Sequence, residues 1–216
     1  VQGLPSGLEP EIVIFAVKPQ TMDEAAPAYS RYCSANTTFL SIAAGKTIKY
    51  FEDILGTDAI IVRAMPNTPC SVGFGMTGLC TGQFASQEDL ISARSLFGAV
   101  GLTVTVDEKN MDAVTALSAS GTAFIYVILE SLAEAGVKVG LSRDVASLLA
   151  AQTTRGAAQV VLDTGHSPAF LRDAVTTPAG CTIDGILELE EGKLRVTLIK
   201  AVIKAKERAA QLLITD

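Results

Sequence analysis

Apolar and polar positions divide the chain into two regimes. From Glu11 to about Val106, short β-rich runs alternate with stretches of helical period. Ile12–Val17 is apolar throughout, the pattern of a parallel strand covered on both faces. Thr21–Tyr32 predicts a modest helix and Thr38–Ile42 a second strand. Thr47–Leu55 predicts a short helix, with Thr47 as N-cap and Gly56 as its stop. Ala59–Met65 reads as a third strand and Gly75–Cys80 as a weaker fourth. Ser86–Phe97 predicts a helix whose Ser86 and Asp89 approximate a capping box, and Thr103–Val106 a closing strand. Alternation of this kind predicts a parallel α/β sheet.

From Asp107 on, only helical patterns remain. Asn110–Leu117 is helical, and the small residues Ser118–Gly121 interrupt it. Ala123–Ala135 is apolar on all sides and stopped by Gly136, which predicts a helix buried in a core or at an oligomer interface. Ser142 caps a helix to about Leu162, and Ser167-Pro168 opens a short one to about Val175. A small-residue turn, Thr176–Thr182, precedes helices over Ile183–Glu190 and Lys193–Leu213. The expected organisation is an α/β domain over 1–106 and an all-helical domain over 107–216.

Composition narrows the function. The 216 residues are 49% hydrophobic and 19% charged, a globular balance. Seventeen Lys and Arg against 23 Asp and Glu give a net charge of −6. An acidic chain without Trp argues against nucleic-acid partners. The one His, His166, lies in the loop-like stretch Thr164–Pro168, which disfavours a His-based triad and excludes a His-rich metal site. Cys33, Cys70, Cys80 and Cys181 match no zinc spacing and read as reduced thiols of a cytoplasmic protein. The longest apolar run, Ala123–Leu129, is far below the roughly 18 residues of a membrane span, so no membrane partner is expected.

Four stretches suit chemistry. Ala16-Val17-Lys18-Pro19 follows the first strand, where Lys18 either meets a phosphate or is a solvated turn lysine. Ser41–Gly45 follows the second, and its tiny side chains admit a flat ligand or simply make a tight turn. Met65-Pro66-Asn67-Thr68-Pro69 follows the third; Asn67 both donates and accepts, which suits a carboxamide or ribose, and the prolines equally suit a rigid connector. Three such loops at successive strand ends converge on one sheet edge, which points to a nucleotide-like ligand. Thr176–Thr182 is the fourth, where a helix N-terminus with open N–H groups binds carboxylate or phosphate. Gly73-Phe74-Gly75-Met76-Thr77-Gly78 has the letters of a dinucleotide fingerprint, but β-rich sequence follows it, and it is rejected as one.

Ile14–Gln20, Ala64–Pro69, Ala116–Gly121 and Val175–Leu189 together resemble, in order and spacing, the motifs of pyrroline-5-carboxylate reductase. The resemblance covers nearly the whole chain from Ile12. It implies a Rossmann domain for NADPH or NADH, a helical domain that forms a homodimer or an assembly of dimers, and reduction of 1-pyrroline-5-carboxylate to L-proline, the last step of proline biosynthesis. Carried over, Ala16, Val17, Lys18, Pro19, Ala43, Ala44 and Asn67 bind the cofactor. Ser118, Ser120, Thr177, Gly180, Cys181 and Thr182 bind substrate, with the Thr182 hydroxyl facing the ring nitrogen as the catalytic group. No metal is implied.

This chain departs from the family in having Ala119-Ser120-Gly121-Thr122 where Gly-Ser-Gly-Pro is usual, and Ala179 for a usual Gly. A glycine-rich opening is also lacking, and two strand–helix units are expected to be missing. In the order 3-2-1-4-5-6 the absent strands are expected between Ile12–Val17 and Thr38–Ile42, so that these two either leave an open edge or pair directly. The alternatives are an imine or β-hydroxyacid reductase of the same architecture, or a non-catalytic dimerisation fragment. Lys138 is the one Lys between Lys109 and Lys193 and follows Gly136, which argues against a β-hydroxyacid dehydrogenase.

Overall fold

The computed structural model describes residues 9–33, 36–178 and 180–211. Its contacts divide the chain into two compact units, one built from the chain up to Thr122 with the chain from Val202 on, the other Ala123–Ala201. The first unit holds a five-stranded sheet in the order β1-β2-β3-β4-β5: Ile12–Phe15, Thr38–Ser41, Ile60–Met65, Gly75–Thr81 and Gly101–Thr105. β1 and β2 pair directly and in parallel, Ile12 beside Thr38 and Phe15 beside Ser41. Of the two outcomes expected for these strands, an open edge or direct pairing, the structure shows direct pairing. Three parallel strands adjacent in both chain and sheet fit places 4-5-6 of the order 3-2-1-4-5-6.

The sheet is not parallel throughout. β4 runs antiparallel to β3, Met65 beside Gly78, and β5 then runs parallel to β4. The cause is the connection: between β3 and β4 there is only one 3₁₀ turn, Thr68–Val72, and a parallel crossover needs a dozen residues or more.

β2 is buried at all four residues because helices cover both faces of the sheet. On one face Val13, Phe15, Phe39 and Ile61 meet Ile48, Phe51 and Leu55 of α2 (Ile48–Leu55). On the other, Leu40, Val62, Ala64 and Leu79 meet Leu90, Ala93 and Phe97 of α3 (Gln87–Gly98). Each such large side chain contributes roughly 1.5–3 kcal/mol by leaving water. Both helices start as their sequences predict: Thr47 Oγ1 accepts the Tyr50 N–H at 3.1 Å, and Ser86 and Asp89 form a reciprocal capping box. The expected helix over Thr21–Tyr32 is instead one α-turn, α1 (Met22–Ala25), between 3₁₀ turns Pro19–Thr21 and Ala26–Tyr32, each with a proline in its first turn.

Two further expectations fail on the helical side. Ser118–Gly121 does not break the helix: α4 (Met111–Val114) passes through a π-turn at Thr115–Ala119 straight into α5 (Ser120–Lys138). Nor does Gly136 stop it. A Cβ there would lie 2.7 Å from the Ala146 Cβ of α6 (Arg143–Thr164), so this glycine lets two helices approach. The chain turns at Gly140, with φ of +103°. Glu108–Lys138 is therefore one 31-residue helix, long and apolar enough by length and composition to cross a membrane, which corrects the expectation that no segment is. α6 is capped by Ser142, α7 (Pro168–Ala174) by Ser167; α8 spans Cys181–Glu191 and α9 Leu194–Gln211. Leu213 lies outside the described residues. Large apolar side chains stay exposed on these helices, Ile125 by 43%, Val127 by 61% and Ile199 by 60%.

Two glycines give opposite outcomes on substitution. Gly136→Val overpacks α5 against α6 and is expected to cost about 1–3 kcal/mol. At Gly98, on α3, a Cβ meets nothing within 4 Å, so Gly98→Ala is expected to add about 0.5 kcal/mol by helix propensity. Urea denaturation of the two variants checks both signs.

Candidate active site

Because β1, β2 and β3 run parallel in register, with Phe15, Ser41 and Arg63 side by side, their carboxyl ends open onto one edge of the sheet. In open α/β sheets ligands lie outside these ends. After β1, Ala16, Val17 and Lys18 are exposed and Pro19 half-buried. The Lys18 carbonyl accepts both the N–H and the hydroxyl of Thr21 at 3.0 Å, which fixes the turn and leaves the ammonium outside. After β2, Ser41 Oγ accepts the Ala43 N–H at 3.2 Å, and Gly45 takes φ of +77°. Ala43 is buried and Ala44 half-buried. Lys46 is buried next to them, its ammonium 4.2 Å from the centre of the Tyr50 ring and 3.9 Å from Asp23.

After β3 the geometry is more specific. The β3–β4 ladder ends at Met65 and Gly78, and the next position, opposite Met76, falls to Asn67, whose carbonyl turns away to accept the Cys70 N–H at 3.2 Å. The Asn67 side chain takes the next place: its Oδ1 accepts the Met76 N–H at 2.9 Å and its Nδ2 donates to Ser118 Oγ at 3.2 Å. Ser118 in turn donates to the Met76 carbonyl at 3.4 Å. Asn67, expected at the cofactor, and Ser118, expected at the substrate, are thus brought together. The π-turn carries Ser118 to this point, and π-turns recur at functional sites. Gly78 allows the approach, since a Cβ there would lie 2.6 Å from the Val114 side chain.

The same helix is anchored at its start. The Glu108 carboxylate pairs with the buried Arg63 guanidinium at 3.2 Å and accepts the Ile48 N–H at 2.7 Å, joining β3, the first turn of α2 and the helix that bears Ser118. Sequence reasoning missed this triad, because Arg63 on an apolar strand and Glu108 in a linker carry no local pattern. Cys80 lies next to it. Burial, with Glu108 adding to it and Arg63 opposing, pushes the Cys80 thiol up to about 12.

The remaining candidates fall in the second unit, apart from Ser120, which opens α5 and is half-buried. Thr176 Oγ1 donates to the Arg172 carbonyl at 2.7 Å, and the Gly180 N–H to the Thr177 carbonyl at 3.1 Å. A Cβ at Gly180 would run into the Thr177 hydroxyl, so a larger residue there would make that side chain turn away. Gly180 is the N-cap of α8 and has no side chain to cap that end. α8 starts two residues earlier than expected, which puts Cys181 and Thr182, both exposed, in its first turn. First-turn N–H groups lack helical partners and favour an anion. Ala179 lies outside the described residues. His166 is exposed and packs on Phe170, with ring centres 4.8 Å apart.

Known proteins share this fold. Residues 108–212 match the family model for pyrroline-5-carboxylate reductase dimerisation. The chain is 44% identical to pyrroline-5-carboxylate reductase of Arabidopsis thaliana, covering 94% of this chain and 74% of that protein. It belongs to the pyrroline-5-carboxylate reductase family. The Methanosarcina acetivorans reductase is likewise 44% identical, over 94% of this chain and 76% of that one. Among solved structures, the reductase of Coxiella burnetii superimposes with a TM-score of 0.90 at 40% identity, covering 94% of this chain and 76% of that one. The Plasmodium falciparum reductase, solved with NADP bound, gives 0.86 at 33%, covering 94% and 77%. The reductase dimerisation region begins at Glu108, the residue that ties the long helix to the sheet.

The thiols supply a test of this packing. Cys80 is buried and Cys181 exposed. At pH 8 iodoacetamide is expected to modify Cys181 in the native protein and Cys80 only after unfolding, as peptide mass spectrometry reads. The raised Cys80 value also sets a sign. The unfolded thiol ionises near 9.0 and the folded one near 12, so the stability from the neutral buried thiol is complete below about pH 9 and lost as pH rises toward 12. A Cys80→Ala variant lacks that part of the alkaline slope.

Proposed function

We propose that this chain reduces the C=N bond of 1-pyrroline-5-carboxylate to give L-proline, using NADPH or NADH, as the last step of proline biosynthesis. The observation that carries this reading is 44% identity to named reductases over 94% of the chain. The residues present fit the nicotinamide end of the cofactor. Ala16, Ala43 and Ala44 add no bulk at the strand ends, and Asn67 has a second amide hydrogen to give after Ser118 takes the first. When bound, the cofactor supplies the hydride.

The chain's own residues bind and orient. Ala16, Val17, Lys18, Pro19, Ala43 and Ala44 line the nicotinamide and ribose, and Asn67 donates to the cofactor. On the substrate side, the first-turn N–H groups at Cys181 and Thr182, with Gly180 and Thr177 shaping the turn, hold the carboxylate. Ser120 belongs with this set. Thr182 Oγ accepts the proton-bearing ring nitrogen. As the ring carbon gains the hydride, the π pair of C=N moves to that nitrogen and its positive charge is lost. A protonated cyclic imine is already electrophilic, so the protein's task is placement, which supplies roughly 7–11 kcal/mol in well-oriented reactions.

The helical half makes a homodimer in this reading, and a second copy covers the apolar side of α5. Four cysteines as free thiols support a cytoplasmic setting. Light scattering is expected to give twice the chain mass at micromolar concentration, and a stable monomer refutes the assembly.

Absorbance of NADPH is expected to fall when 1-pyrroline-5-carboxylate is added to the protein, with L-proline as product; no turnover with either NADPH or NADH rejects the function. Removing the Thr182 hydroxyl takes away one hydrogen bond to a charged group, about 1.5–3 kcal/mol. Thr182→Ala is then expected to lower kcat/KM about 10- to 150-fold. An unchanged value in the folded variant removes Thr182 from the catalytic role.

A further inference from the structure

We infer that Ser118 is a positioning residue for the nicotinamide cofactor, acting through Asn67, and not a ligand of the substrate. This rests on the reductase reading given above and departs from the role that family resemblance gives Ser118.

The argument starts from what one hydroxyl can do. A serine has one O–H to donate and two lone pairs to accept with. The Ser118 O–H is directed at the Met76 carbonyl at 3.4 Å, and one lone pair receives the Asn67 amide at 3.2 Å. A substrate carboxylate is an acceptor and asks for a donor, and the only donor Ser118 has is committed to β4.

The orientation of Asn67 follows from the same bonds. The Met76 N–H is a donor, so the amide atom facing it at 2.9 Å must be Oδ1. Nδ2 is then the atom at Ser118, and its second hydrogen is the one polar contact the side chain has left to give. Asn67 therefore presents a donor of fixed direction at the carboxyl end of β3, suited to an acceptor such as a carboxamide or ribose oxygen. Both Asn67 and Ser118 are half-buried, which strengthens these bonds relative to an exposed pair. Without the hydroxyl, Nδ2 loses its acceptor and the Met76 carbonyl its donor, and the Asn67 amide is held at one end only.

A double-variant cycle tests this. NADPH is titrated by its nicotinamide fluorescence, without substrate, against the wild type, Ser118→Ala, Asn67→Ala and the double variant, and the KM for 1-pyrroline-5-carboxylate is measured on each. Ser118→Ala is expected to raise the NADPH Kd about 2- to 12-fold, the range a neutral hydrogen bond carries. The substrate KM is expected to stay within about twofold. The double variant is expected to bind NADPH no more weakly than Asn67→Ala alone, because Ser118 acts through that residue. Ser118→Thr, which keeps the hydroxyl, is expected to bind NADPH more tightly than Ser118→Ala. Additive losses in the double variant overturn the inference. So does a raised substrate KM with unchanged NADPH affinity, and so does a wild type that binds no NADPH. A wild type that binds NADPH but does not reduce the imine rejects the reductase reading instead, and the titration still decides the role of Ser118.

Discussion

The end of the β3–β4 ladder at Met65 is the constraint on which the site depends. Past Met65, strand β4 presents Met76 with a donor and an acceptor facing Asn67, whose own carbonyl is turned to the Cys70 N–H. Unpaired buried backbone groups cost free energy on the scale of a lost hydrogen bond. Asn67 and Ser118 satisfy both groups with side chains, at 2.9 Å and 3.4 Å. These two side chains thus convert the end of a strand into a polar fixture, join the sheet to the long helix, and hold Asn67 where a cofactor is expected.

That fixture works only if the helix bearing Ser118 is itself placed. Two contacts do this at different heights. Gly78 lets the Val114 side chain approach β4 closely, and the Arg63–Glu108 pair pins the helix start. The pair is not a free gain in stability. A buried ion pair offsets its own desolvation only when its geometry is good and its remaining lone pairs are used. Glu108 meets that condition by also accepting the Ile48 N–H, at the positive end of α2.

Local chemistry was legible in the sequence and non-local chemistry was not. Thr47, Ser86 with Asp89, Ser142 and Ser167 act within three or four residues, and each caps the helix its pattern predicts. The three ligand-facing loops were legible too, because strand ends and small residues are short-range signals. Reversal of β4 was hidden, since alternation says nothing of direction; the short β3–β4 connection was the available clue. Gly136 and Ser118–Gly121 misled for a shared reason. Small residues weaken a helix in isolation, yet here they serve close packing and a π-turn, and both roles depend on partners distant in sequence. Asn67 to Ser118 spans 51 residues, and no window on the chain contains both.

The long helix poses a choice between two apolar environments. Glu108–Lys138 satisfies the length and composition of a membrane span, and Ile125, Tyr126 and Val127 on it are open in the single chain. Its polar positions separate the cases. Glu130, Glu134 and Lys138 recur every fourth residue, so they form one exposed stripe along the C-terminal half of α5. Carboxylates on a lipid-facing surface are costly and rare. A protein surface accommodates both demands, covering Ile125 and Val127 while the charged stripe keeps its water. Gly136 belongs to the same logic: α5 approaches α6 through a glycine, a close contact between two helices of the second unit. The match of residues 108–212 to a dimerisation region agrees with a protein neighbour for this helix, and the charged stripe gives the physical reason for preferring one to a bilayer.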